Sequence, residues 1–137
     1  MTIQAVVTWA QAQIKATSAA KISFAPDYPT DTNLTVPSSI ALADNIRFMG
    51  AGTSGLKITL FDLHIDILIP HGILEDAMQW FNGVPLAVAD IFRNDPTLGG
   101  NCKTYDGDVV AKLASSKEGG MDVIGYTITV PNIKLHE

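Results

Sequence analysis

Three places in the chain carry side chains whose types and spacing could do chemistry. The first is Asp62-x-His64-x-Asp66. In an extended strand, residues two apart share a face, with Cα atoms roughly 6.5 Å apart. Two carboxylates and an imidazole on one face could converge on a divalent cation, with His71 as a further donor. The intervening Leu63, Ile65 and Ile67 read as the core side of the same strand. The simpler expectation is therefore that Asp62, His64 and Asp66 form its outward face, solvated or turned to another subunit. The second place is Cys102, the single cysteine. A nucleophilic thiol needs an activating base and an oriented third group. His64, His71 and His136 stand in no recognisable pairing motif with it, and a lone cysteine at a strand start is expected to be a small buried hydrophobe.

The third place surrounds that cysteine: residues 94–102, Asn-Asp-Pro-Thr-Leu-Gly-Gly-Asn-Cys. A phosphate loop would need Gly-x4-Gly-Lys-Ser/Thr ahead of a helix. Here the glycines follow a helical segment, and Lys103 is not followed by the required hydroxyl. A turn explains the stretch better. Pro96 cannot continue a helix and pushes Asp95 out of the helical region. Asn94 and Asp95 can bond their own backbone. Gly99 and Gly100 supply positive φ for the reversal, and Leu98 can plug the end of the core.

The elements that must position these residues follow from periodicity. Ile3, Val7, Ala10 and Ile14 form one helical stripe with Thr2 as N-cap, predicting a helix to about Ala20. Residues 21–38 contain three prolines and read as a long loop, tacked down by Phe24 and Tyr28. Ile40, Leu42, Ile46 and Phe48 alternate through 39–49, predicting a half-buried strand with these apolar residues inward and Asp44 the exception. Gly50 to Gly55 suits a hairpin tip. The next strand, 56–69, places Leu56, Ile58 and Leu60 in one phase and Phe61, Leu63, Ile65, Ile67 and Ile69 in the other. A bulge or strong twist is expected at Leu60-Phe61.

Pro70 ends that strand. From about Ile73, helical spacing links Leu74, Ala77, Met78, Phe81, Val84, Val88, Ile91 and Phe92 through Gly83 and Pro85, predicting a kinked helix or two abutting ones. The aromatics Trp9, Trp80, Phe81 and Phe92 fall in helical stripes and need no cofactor. A weaker strand is expected over 101–115, a turn at Lys117–Gly120, and a last strand over Val123–Val130. The predicted fold is α+β, a two-layer sandwich of order α-β-β-α-β-β. Its two hairpins form a sheet with helices on one face, all in a single domain, 1–137.

Composition narrows the function classes. The net charge is −5 with no Lys/Arg run, which disfavours recognition of nucleic acid through a basic patch. Hydrophobic residues make up 47% and charged residues 17%, so a folded core is expected. No apolar run approaches the roughly 20 residues of a membrane span. The N-terminal segment does not resemble a secretory signal, and synthesis in a cytoplasm is expected.

Several short strings, in this order of elements, resemble the tail terminator (tail completion) proteins of long-tailed bacteriophages. They are Tyr28-Pro29 in the loop, Val36-Pro37 at the strand entry, Ile67-Leu68-Ile69-Pro70, Asp95-Pro96-Thr97-Leu98-Gly99-Gly100, and Tyr126-Thr127-Ile128. The resemblance spans most of the chain and implies an α+β protomer that assembles into a ring, usually a hexamer. Such a ring caps the tail tube, stops its polymerisation and joins the neck or capsid. The implied partners are further copies of the chain, the tail tube protein and neck or connector proteins; the implied location is the virion, with no cofactor and no catalytic residue. The expected contact residues are Phe24 and Tyr28, the tip residues Gly50, Gly52, Thr53 and Ser54, and Asp62, His64 and Asp66. Another neck component, such as a head-closure, adaptor or minor tail protein, is the alternative, followed by a small metal-dependent enzyme centred on Asp62, His64 and Asp66.

Overall fold

The computed structural model describes residues 2–29, 37–50, 57–70, 74–118 and 121–136. It is a mixed α+β fold built on a four-stranded antiparallel sheet. Helix α1 spans Ile3–Ala16 and is followed by a 3-10 turn, Ser18–Ala20. Strands β1 (Ser38–Met49) and β2 (Ile58–Pro70) come next, then helices α2 (Leu74–Trp80) and α3 (Val84–Arg93), then β3 (Val110–Glu118) and β4 (Met121–His136). The sheet order is β1-β2-β4-β3, which leaves β1 and β3 at its edges.

Local sequence accounts for the helix ends. The Thr2 hydroxyl accepts the Ala5 N–H at 3.0 Å, capping α1 as expected. The helix stops at Ala16 rather than Ala20, because Thr17 is extended and its hydroxyl donates back to the Gln13 carbonyl at 2.8 Å. The long helical run after Pro70 is two helices. Gly83 takes φ +80, a left-handed conformation that glycine adopts without steric cost, and Pro85 sits in the first turn of α3.

The core joins helices and sheet. Val6, Val7, Ala10 and Ile14 of α1, Val84, Val88 and Phe92 of α3, and Phe61, Leu63, Ile65 and Ile67 of β2 belong to one buried cluster. Ile128, Val130, Ile133 and Leu135 of β4 complete its floor, with Leu98 at one end. Edge-to-face rings tie the helices in: Trp9 meets Phe92 at 6.1 Å and Phe81 meets Tyr126 at 5.2 Å between centroids.

Three strand expectations change. The inward row of β1 is Ser39, Ala41 and Ala43, which lie opposite the core residues Ile67, Ile65 and Leu63. Ile40 and Leu42 turn the other way, Ile40 buried and Leu42 exposed, while beyond the bulge Phe48 lies opposite the inward Thr59 and is exposed, as is Ile46. Small residues on the inward row allow α1 to come close, as the full burial of Ala10 indicates. The second change concerns β2, whose phase never slips. Thr59 is buried in the same phase as Phe61, and Ile58 and Leu60 fall on the other face. The bulge expected at Leu60-Phe61 is absent from β2; the extra residues sit in its partner strands, between Asp44 and Arg47 in β1 and between Val130 and Ile133 in β4. The third change is at the C-terminal half. Residues 101–109 are irregular apart from an isolated bridge between Thr104 and Lys134, and β3 begins only at Val110. Strand β4 continues past Val130 to His136, because the bulge at Pro131-Asn132 moves the inward phase from even to odd residues.

Candidate functional site

Asp62, His64 and Asp66 do share the face of β2 turned away from the helices, each half-buried. They do not converge. Asp66 accepts the Thr127 hydroxyl at 2.8 Å from β4. His64 Nε2 lies 3.4 Å from Asp44 Oδ2 on β1. Asp62 is held by the two bulges that flank it. Its Oδ1 accepts the Asn132 backbone N–H at 2.9 Å, and its Oδ2 lies 3.4 Å from the Asn45 amide nitrogen.

Both bulges place an asparagine in the left-handed region, Asn45 at φ +51 and Asn132 at φ +51. Asparagine tolerates this conformation better than any other residue with a side chain except aspartate. Arg47 then reaches across β2. Its Nη2 donates to Asn132 Oδ1 at 2.8 Å and lies 3.8 Å from Asp62 Oδ1. The Asn132 amide donates on to the Asp106 carbonyl at 3.1 Å. The network thus links β1, β2, β4 and the segment before β3. Periodicity alone marked Asp44 as an exception in an apolar row, but it offered no signal for Asn45, Arg47 or Asn132, whose roles depend on partner strands.

This arrangement can hold a sheet in register; its donors and acceptors face one another rather than a common point. Among the described residues, no group of three or more His, Cys, Asp and Glu is placed to hold a metal ion. His71 lies outside the described residues.

The stretch 94–102 is a closed turn. Asp95 accepts the Thr97 hydroxyl at 2.9 Å and the Gly99 N–H at 3.0 Å, and the Cys102 N–H reaches the Thr97 carbonyl at 3.1 Å. Leu98, Gly99 and Gly100 are three successive left-handed residues, at φ +50, +70 and +80. Leu98 is fully buried, the plug expected of it. A Cβ on Gly99 would run into the Trp9 indole, so the turn docks on α1 through a position that only glycine fits. Cys102 is buried, and burial together with the neighbouring Asp95 carboxylate pushes its thiol up to about 11. That holds the thiol protonated at neutral pH, the opposite of nucleophile activation.

The remaining predicted contact residues are distributed. Tyr28 is 65% exposed, while Phe24 is half-buried and bridges to Ser38 at the start of β1. Gly50 is exposed; Gly52, Thr53 and Ser54 lie outside the described residues. Clefts open on the surface among the described residues, two of them notable in size. One of about 810 Å³ lies at the α2–α3 elbow between Met78, Phe81, Leu86 and Tyr126, with Glu75 at its rim. The other, about 490 Å³, has Ile58, Leu60 and Met49 with Tyr105, Asn132 and Lys134. Neither contains Asp62, His64 or Asp66. Among the described residues no helix is long and apolar enough to cross a membrane. Compared with known proteins, the chain matches no protein-family model and no curated protein sequence.

Proposed function

We propose that the chain is a virion structural subunit, a tail terminator. As a two-layer protomer it joins further copies into a ring that caps the tail tube and presents a surface to the neck. The observation that carries this reading is the state of the two sheet edges. Leu42, Ile46, Phe48 and Met49 of β1 are exposed, as are Val110 and Leu113 of β3. Large apolar residues clustered on a surface mark a site of contact with other protein. Two different edges, each with exposed apolar residues, suit head-to-tail association, which closes into a ring when the rotation closes. The polar network of Asp62 and Arg47 supports the same reading, since it spends its charged groups on sheet register.

The test is to add the purified chain to growing tail tubes and to measure its native mass across a concentration series. The expected outcome is tubes arrested at the length present on addition, and a species near 87.6 kDa, six copies of 14.6 kDa. Tubes that keep growing beside a bound ring would favour a head-closure or adaptor role.

A further inference from the structure

We propose that the ring contact is made by the sheet itself: β1 of one copy pairs antiparallel with β3 of the next, carrying the sheet from subunit to subunit. This rests on the ring reading and names the surface that forms it.

Among the described residues, β1 is paired on one side only, apart from a bridge from Phe24 to Ser38 at its first residue. The Ser39 N–H donates to the Phe24 carbonyl, away from β2, at 2.8 Å. Backbone groups alternate sides along a strand, so the N–H and C=O of Ala43 also point to that outer edge. Among the described residues strand β3 is likewise paired only with β4. Every neighbouring pair in the order β1-β2-β4-β3 is antiparallel, so β1 and β3 run in opposite directions. A neighbour related by rotation about an axis along the strands therefore brings β3 to β1 antiparallel.

One register satisfies both faces. With Asp44 opposite Lys112, the two charges meet on the face turned from the helices, where Asp44 already lies beside Asp62 and Lys112 beside Thr127. The Asp44 side chain is 62% exposed, and Lys112 is exposed with no ion pair among the described residues. The same register sets Leu113, exposed at the uncovered end of the helix face, against the small Ala43. Opposite charges and apolar pairs directly across a ladder stabilise it, and like charges destabilise it. The commitment is to a second copy of this chain, because the complement of each edge is the chain's own other edge.

The experiment uses the full chain in two ways. Asp44→Lys and Lys112→Asp are each expected to raise the concentration for half-assembly about tenfold, by replacing an attraction with a repulsion. Combining both changes in one chain should restore assembly to within about threefold of the original. Separately, an equimolar mixture of Ala43→Cys and Leu113→Cys chains should yield a disulfide-linked pair containing one of each, while neither alone does. Far-UV circular dichroism of each variant establishes that it is folded. Rings that form normally in the charge variants and give no mixed cross-link would overturn this pairing and leave the ring reading standing. A cross-linked pair from Ala43→Cys alone would overturn it in favour of two-fold pairing of β1 edges. Monomers at every concentration, with tubes uncapped and no cross-link, would overturn both.

Discussion

Cys102 has the chemistry of a nucleophile and the surroundings of a core residue. Its thiol titrates near 11 against an ordinary 9.0, so between those values the folded chain keeps a proton that the unfolded chain has lost. Linkage then makes stability fall as pH rises. The contribution is complete below pH 9, and it is lost progressively towards pH 11. Urea unfolding at pH 8 and pH 10.5 should show a larger loss for the native chain than for Cys102→Ala, which has no thiol to titrate. Equal losses in the two proteins would sink the account. The neighbouring glycines make a second comparison. Gly100 has open space around a would-be Cβ, so Gly100→Ala costs only the left-handed conformation, about 1–2 kcal/mol. Gly99→Ala adds the collision with Trp9 and is expected to cost at least about twice as much. Denaturant midpoints of the two variants check this order. Gln11 belongs to the same scale: fully buried, it donates to the Ser39 and Pro26 carbonyls at 2.8 and 3.0 Å and accepts the Ser39 hydroxyl at 2.8 Å, tying α1 to β1. The helical stripe gave no warning of it, because a glutamine beside Ala10 and Ile14 is buried only where a partner strand supplies its bonds.

Among the elements, β2 is the reference against which its neighbours bend. Its uninterrupted alternation from Thr59 to Ile69 keeps five large apolar residues inward, and fully burying each contributes about 1.5–3 kcal/mol. The extra residues that the register requires are placed in β1 and β4, where Asn45 and Asn132 accept the left-handed backbone. Asp62 then receives the Asn132 N–H that the bulge leaves off the ladder. Replacing Asp62 by Ala should leave that N–H unpaired in a half-buried place and cost about 1–3 kcal/mol. Asp66→Ala frees only the Thr127 hydroxyl, which can rotate to water, and should cost under about 1 kcal/mol. Unfolding free energies of the two variants decide the matter. A larger loss at Asp66 than at Asp62 would contradict a role in register and reopen a shared ligand site.

At the scale of the molecule, α1 packs on the first half of the edge strand β1, and large apolar residues farther along both edge strands stay uncovered. Phe48 at 76% and Leu113 at 55% exposure are two of them. Exposed apolar edges are a hazard that folded proteins usually blunt with charge, bulges or cover. In the ring contact proposed above, the bulge at Asn45 and the charge at Lys112 would limit pairing to a short register. That is the behaviour wanted of a subunit that must join a fixed number of copies and then stop. The expected dependence of native mass on concentration belongs to this scale, since a small edge contact closes a ring only when several such contacts form together.

How much was legible in the sequence follows from the range of each interaction. The Thr2 cap, the Asp95–Gly100 turn, the left-handed Gly99 and Gly100, the burial of Leu98 and the inward row of β2 all rest on neighbours within a few residues, and these were determined by the chain alone. So were the α+β class and the shared face of Asp62, His64 and Asp66. The inward face of β1 was not, because Ile40, Leu42 and Phe48 look like one core row until α1 lies against Ser39, Ala41 and Ala43, and the bulge then breaks the row by putting Phe48 on a different face from Ile40 and Leu42. The bulge expected at Leu60-Phe61 was misplaced for the same reason: a ladder's extra residue can sit in either strand, and only pairing decides which. Likewise the last strand was expected to end at Val130, and it is the partner strand that carries the ladder on to His136. Hydrophobic period and turn chemistry are properties of the chain. Which of two faces is buried, and what each polar group on the open face meets, are properties of the contacts that only the tertiary structure makes.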